Sequence, residues 1–289
     1  MILQFQENGF YFTFDMTENQ PVYLLHMGAE PMVEQPGEKV KGSCHFQEIQ
    51  VTGEGRTNHM GVSPIGTLPG RRMHYTGYSD ERNDLGRILK IHTKDTQTGL
   101  AGTMIYQFHD GIPVVRCRNI VTNEGNLDLG LEVVTSFVQP MAADGVNDDI
   151  HLLIPHNSWS EEIKWKENSL SQLGGSASTK RIQVRSIGSW STGEYLPMAC
   201  MRNLTKGTMQ FWQIEHNGGW NWELQGSMKK LTLILTGPNE TDHHWWKCLK
   251  PGETFETVPA AVGIVKGGID ETFAALTRYR RAIRRKKCR

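Results

Sequence analysis

Residues 189–224 read SWSTGEYLPMACMRNLTKGTMQFWQIEHNGGWNWEL and hold four of the chain's eight tryptophans. From Met209 to His216 the residues alternate. Met209, Phe211 and Gln213 fall on one face, and Gln210, Trp212 and Ile214 on the other. A period of two is the signature of a β-strand, not a helix. The run His216-Asn217-Gly218-Gly219 breaks the alternation and reads as an Asn-Gly turn. Beyond it, Trp220 and Trp222 point to one face of a second aromatic strand. Two readings of those rings stay open: the core of a heavy β-sandwich, or an aromatic platform for a flat ligand such as a sugar ring.

The same period extends outward in both directions. Ile2–Gln6 and Phe10–Asp15 flank Glu7-Asn8-Gly9, a hairpin signal. Further strands are expected over 22–28, 45–52, 87–94, 103–109, 113–121 and 128–138, the last with Leu129, Leu131, Val133, Thr135 and Phe137 in strict alternation. Residues 30–43 carry prolines and glycines and read as loop; 53–86 read as the longest irregular stretch, which either docks on something or makes a surface excursion. Residues 140–150, with Asp144, Asp148 and Asp149, read as a polar loop whose spacing fits no EF-hand. After short strands within 151–187, broken by a Ser-rich loop over 167–180, the pattern returns at 231–236, 254–258 and 260–265. Only past Gly267-Gly268 does a helical period appear. There Phe273, Leu276, Tyr279 and Ile283 form a stripe, Asp270 and Glu271 sit in the first turn, and two thirds of the residues from Arg278 onward are basic.

A chain of 289 residues can bury a large core in one domain or two. Its formal net charge is zero, so no global field draws it to nucleic acid or a membrane surface, and no apolar run is long enough to span a bilayer. The N-terminus shows no basic segment followed by an apolar run, as a signal peptide would. The five cysteines, Cys44, Cys117, Cys200, Cys248 and Cys288, are scattered and never spaced CxxC. They read as reduced thiols of a cytoplasmic protein, with neither a disulfide framework nor a zinc site. The basic end of the helix admits RNA or membrane binding as one reading and a solvated face as the other.

No P-loop, dinucleotide fingerprint or GxSxG elbow occurs, and His216, His243 and His244 do not form a metal-ligand set. No cofactor is implied. Glu194, Glu215 and Glu223 lie in the aromatic region, where a glycosidase would need two acids facing one sugar. Acids at strand positions more commonly face solvent or pair with arginine.

Three strings carry a resemblance: FWQIEHNGGWNWEL at 211–224, LILTGPNETDHHWWKCLKPGETFETVPAAVGIVKGG at 233–268 and ETFAALTRYRRAIRR at 271–285. Together with YTGYSDERNDLGRI at 75–88 and VVRCRNIVTNEG at 114–125, they make the chain resemble the N-terminal domain of glycoside hydrolase family 36, the α-galactosidases. The resemblance implies an all-β fold, a large two-sheet antiparallel β-supersandwich like that of galactose mutarotase, over 1–268. It implies that 269–289 form a connector helix toward a (β/α)8 barrel absent from this sequence. The family's members are retaining enzymes whose two catalytic aspartates sit in the barrel, so neither carries over here. The family's supersandwich packs on the barrel and builds homo-oligomer contacts, and in some members its loops wall a sugar pocket. The matching stretch is Tyr78 to Arg82. Asp80 and Arg82 match in type, and Glu81 stands where the family carries an aromatic residue.

Three readings follow. In the first, the chain is a non-catalytic domain of an α-galactosidase-like glycosidase, meeting α-galactosides through a barrel domain or partner chain. In the second, it is a free-standing carbohydrate-binding module that stacks sugars on Trp190, Trp220 or Trp222. In the third, it is an aldose mutarotase, which needs an acid and a base across one sheet. Adjacent Glu215 and His216 point to opposite faces and cannot be that pair. The sugar contacts expected across the first two readings are Tyr78, Asp80, Arg82, Trp190, Trp220 and Trp222.

Overall fold

The computed structural model describes residues 1–37, 45–56, 65–144, 148–174, 181–227 and 230–284. The N-terminal hairpin forms as its turn chemistry dictates. β1 (Ile2–Glu7) pairs antiparallel with β2 (Phe10–Asp15), and Asn8 and Gly9 take φ of 49° and 88°, the left-handed pair a tight hairpin needs. With β3 (Tyr23–Gly28) they make a three-stranded sheet.

A six-stranded sheet continues the same layer. It contains β4 (Ile49–Val51), β9 (Leu129–Asp144), β12 (Arg181–Ser186), β15 (Trp220–Ser227), β16 (Lys230–Thr236) and β17 (Lys247–Leu249). The facing layer is a ten-stranded sheet of β5 (His74–Asn83), β6 (Gly86–Lys94), β7 (Leu100–His109), β8 (Ile112–Asn123), β10 (Ile150–His156), β11 (Lys164–Ser169), β13 (Met198–Asn203), β14 (Thr208–Ile214), β18 (Thr254–Glu256) and β19 (Ala260–Lys266). Its order is β11-β10-β13-β14-β19-β8-β7-β6-β5, with β18 also on β8, and all its pairings are antiparallel. The fold is therefore the expected all-β supersandwich, with its second layer divided between two sheets.

One continuous core fills the space between the layers. Phe10, Phe12 and Phe14 meet Tyr106 and Phe108 at one end, and Trp212, Trp222, Leu233 and Leu235 pack at the other. Rings of this size bury 150–250 Å² each and dominate core energetics. A second core lies outside the larger sheet. There Met209, Phe211, Ala261 and Val265 are covered by Ala275, Leu276 and Tyr279 of the terminal helix (Ile269–Ile283). This explains why β14 is buried on both faces.

The structure corrects several expectations. Within 53–86 it places a short helix, α1 (Leu68–Arg72), and the ten-residue strand β5, while 57–64 lie outside the described residues. β5 is the edge of the larger sheet, and its polar side chains hide a backbone paired with β6 from His74↔Lys94 to Asn83↔Gly86. The strand expected over 45–52 shrinks to β4, because buried Glu48 accepts bonds from the backbone N–H of His45 and Thr67 and bends the chain before it. β9 runs on past Val138 into the expected polar loop, with an irregular register where Met141 takes φ of 56°. Asp144 ends that strand, and Asp149 accepts a hydrogen bond from Thr205.

The largest departure is at His216–Gly219. The segment is not a hairpin turn, since β14 lies in the larger sheet and β15 in the smaller. It carries the chain from one layer to the other, and neither glycine takes a positive φ. The two strands still meet through their side chains, Trp212 and Trp222 packing edge to face at 5.3 Å across the core.

Besides α1 there are two helices among the described residues: α2 (Glu240–His243) and α3 (Ile269–Ile283), the latter the expected terminal helix. Glu271 accepts a hydrogen bond from Gly268 N at 2.8 Å and caps the start of α3. Half of the tail's basic residues fall at 285–289, outside the described residues. No helix of the described residues is long and apolar enough to cross a membrane. Of the cysteines, Cys117 and Cys200 are buried free thiols, with burial pushing Cys200 up to about 12; Cys44 and Cys288 lie outside the described residues.

Candidate functional site

The six residues singled out in the sequence separate into three places. Tyr78, Asp80 and Arg82 share one face of β5, as alternate residues of a strand must. That face looks toward the β1–β2 hairpin. Arg87, on the neighbouring strand, holds both Asp80 oxygens at 2.8 and 2.6 Å and lies over the Phe5 ring at 3.8 Å. Arg82 pairs with Asp110 and stands 3.6 Å from Glu7. The rim is thus a ladder of alternating charges, which raises the affinity of both arginines for their protons. Tyr78 is 40% exposed at its end. Asp80 and Arg82 thus offer solvent polar groups already engaged in ion pairs.

Trp220 and Trp222 lie elsewhere. Both are fully buried, so they form core and present no face to a ligand. Of the two readings open for those rings, the structure selects packing. Trp220 Nε1 donates to Ser191 O at 2.7 Å, tying the loop that carries Trp190 to the core. Trp190 itself is exposed, and its indole meets that of Trp159 at 6.2 Å and 71°. Trp159 escaped sequence reasoning because no alternation surrounds it. A signal existed: both residues occur as Ser-Trp-Ser, at 158–160 and 189–191, small polar neighbours that leave an indole uncovered.

The three glutamates are dispersed. Glu194 is exposed on a loop. Glu215 lies outside the larger sheet, beneath α3, where Arg116 grips it at 2.8 and 2.7 Å and the Tyr279 hydroxyl donates to it. Burial and the adjacent carboxylate push Tyr279 far above its ordinary value, and burial holds nearby His109 below its own. Glu223 lies on the outer face of the smaller sheet, fully buried, with Arg181 Nε 2.6 Å away. Burial outweighs that guanidinium and pushes Glu223 up to about 7. With the sheets stacked inner face to inner face, Glu215 and Glu223 are on opposite outsides of the sandwich. Glu215 and Glu223 therefore share no site, whereas the two acids of glycoside hydrolysis must.

No cluster of three or more potential metal ligands occurs among the described residues. A cleft of about 480 Å³ between the β1–β2 hairpin and α3 is lined by Asn8, Tyr11, Lys266 and Arg278 among others, and by none of the six residues above.

No family model matches the chain, and no curated protein matches it at a significant level. Solved structures do. An α-galactosidase from Lactobacillus brevis superimposes with a TM-score of 0.72 at 15% identity, covering 97% of this chain and 42% of the other. The galactosidase domain of an α-galactosidase-sucrose kinase gives 0.70 at 13%, covering 100% and 43%. A putative aldose 1-epimerase from Escherichia coli gives 0.53 at 9%, covering 92% of this chain and 99% of the other. The chain spans about two fifths of the length of the α-galactosidases it matches, and its fold is that of the N-terminal domain of the GH36 α-galactosidases.

Proposed function

We propose that this chain acts as the non-catalytic N-terminal supersandwich domain of an α-galactosidase-like glycoside hydrolase, supporting a catalytic (β/α)8 barrel and homo-oligomer contacts in the cytoplasm. The observation that carries this reading is the asymmetry of the superpositions: the α-galactosidases cover nearly all of this chain, and the chain covers about two fifths of them. The epimerase, which would favour an independent enzyme, fits less well at a TM-score of 0.53. The separation of Glu215 and Glu223 supports the same reading, because it removes that acid pair from the aromatic region. The α-galactoside is met through a barrel domain or partner chain, with Tyr78, Asp80 and Arg82 lining the rim of its pocket.

The experiment is release of nitrophenol from nitrophenyl α-galactoside by the purified chain. No release above buffer is expected. Turnover that follows the chain through repurification and disappears in Glu223→Gln would overturn the reading, since it would place the acid on the smaller sheet.

A further inference from the structure

The exposed indoles of Trp159 and Trp190 are unexplained by any of this. Trp159 is 82% and Trp190 51% exposed, although tryptophan is highly buried on average. They stand at the corner where the β10–β11 loop meets the β12–β13 loop, at the opposite edge of the larger sheet from the Tyr78–Arg82 rim.

This corner is held, not loose. Asn157 N donates to Glu194 O at 2.8 Å, Asn157 Oδ1 accepts from Ile163 N at 3.1 Å, and Asn157 Nδ2 donates to Thr192 O, so one side chain joins both loops. Trp220 anchors Ser191 from the core. Gly193 lies under the Trp190 ring, where an added Cβ would stand 3.3 Å from it. Ser160 and Ile163 take φ of 63° and 56°, a left-handed conformation that an isoleucine adopts only when its surroundings impose it. A fixed backbone lowers the ordering cost of binding.

We propose that Trp159 and Trp190 form a saccharide-binding corner that stacks a pyranose ring of an oligosaccharide. Two indoles inclined at 71° with centroids 6.2 Å apart pack edge to face, and both keep surface open to solvent at this corner. The negative faces of the indoles suit the C–H bonds of a pyranose. Exposed Glu161, Glu162 and Glu194 stand in the same loops as acceptors for hydroxyls. Size argues against a protein partner. The exposed indole surface is on the order of 300 Å², well below the roughly 800 Å² per partner of a standard interface, even with exposed Ile163 and Ile187 in the same loops. The corner is built from this chain's own loops, and the proposal is independent of the accessory-domain reading.

The test is titration of the chain, with 15N-labelled tryptophan, by raffinose, following its eight indole N–H resonances. Two resonances, assigned with Trp159→Phe and Trp190→Phe, shift saturably while six stay still. Trp159→Ala weakens binding about tenfold and keeps the native thermal unfolding, because the side chain it removes is exposed. The same two shifts with maltotriose would support stacking without a galactose preference. The proposal is overturned if neither sugar moves the two resonances. It is equally overturned if they move with protein concentration in the absence of sugar, which would make the corner a self-association surface. Hydrolysis plays no part in this readout, so a negative result leaves the accessory-domain reading standing.

Discussion

Gly263 sits opposite Phe211 across the β14–β19 ladder. A Cβ added there would lie 2.0 Å from Phe211 Cζ, 2.4 Å from Cε2 and 2.6 Å from Cε1. Such contacts require the ring to move, yet Phe211 is fully buried in the cluster that α3 covers. Gly263→Ala is therefore an overpacking substitution, expected to cost about 1–3 kcal/mol, with displacement of α3 adding to it. The three clashing atoms all lie beyond Cδ. A leucine at 211 ends at Cδ, so Phe211→Leu removes every one of them. The backbone of Gly263 takes no positive φ, so alanine there also restricts the unfolded chain, which stabilises by about 0.4–1 kcal/mol once the clash is gone. The pair should therefore couple: Gly263→Ala destabilises the native chain and leaves Phe211→Leu unchanged or slightly more stable. Urea unfolding followed by tryptophan fluorescence measures all four corners of the cycle. If Gly263→Ala costs less than about 0.5 kcal/mol, or the two changes simply add, the packing of α3 over Phe211 described above is wrong.

Two further outcomes follow from the polar groups outside the sandwich. Tyr279→Phe removes the hydroxyl that donates to Glu215 and keeps the ring, so stability should fall by about 1.5–3 kcal/mol with amide exchange in α3 speeding up; unchanged exchange would show that this hydrogen bond does not hold α3 in place. Glu223 holds its proton more tightly when folded, at about 7 against an ordinary 4.5, so its contribution is full below 4.5 and is lost as pH rises through about 7. The loss amounts to about 3 kcal/mol at most. Glu223→Gln should remove that slope, gaining on the native chain between about pH 5 and pH 8 in paired urea titrations; a constant difference at the two pH values would show that Arg181 keeps the carboxylate ionised.

Much of this architecture was legible because alternation reports burial. Strands with one apolar face, such as β2, β8 and the first half of β9, declare themselves, as does the stripe on α3. β5 did not, because edge-strand stability comes from backbone pairing; its Asp80 and Arg82 side chains settle into ion pairs instead of core, and its Tyr78 stays exposed. His216–Gly219 misled for a related reason. Local turn chemistry records that the chain bends and carries no information about which sheet it enters next. The aromatic residues divided on the same principle. Trp220 and Trp222 alternate with Asn221 and are core, whereas Trp159 and Trp190 stand outside any period and are exposed.

The position of β19 has a consequence for how the chain comes to be folded. It is the last strand in sequence, and it sits in the middle of the larger sheet, bonded to β14 on one side and β8 on the other. Until it arrives, β8 and β14 each hold an open edge of unpaired N–H and C=O groups, the condition that invites pairing with other chains. During synthesis at 5–20 residues per second, the wait between the end of β8 and the end of β19 is on the order of ten seconds. The halves of the sheet can form early as hairpins, and their union waits for the final strand. A chain that stopped between Ile214 and Ala260 would carry two adhesive half-sheets in place of a shortened domain.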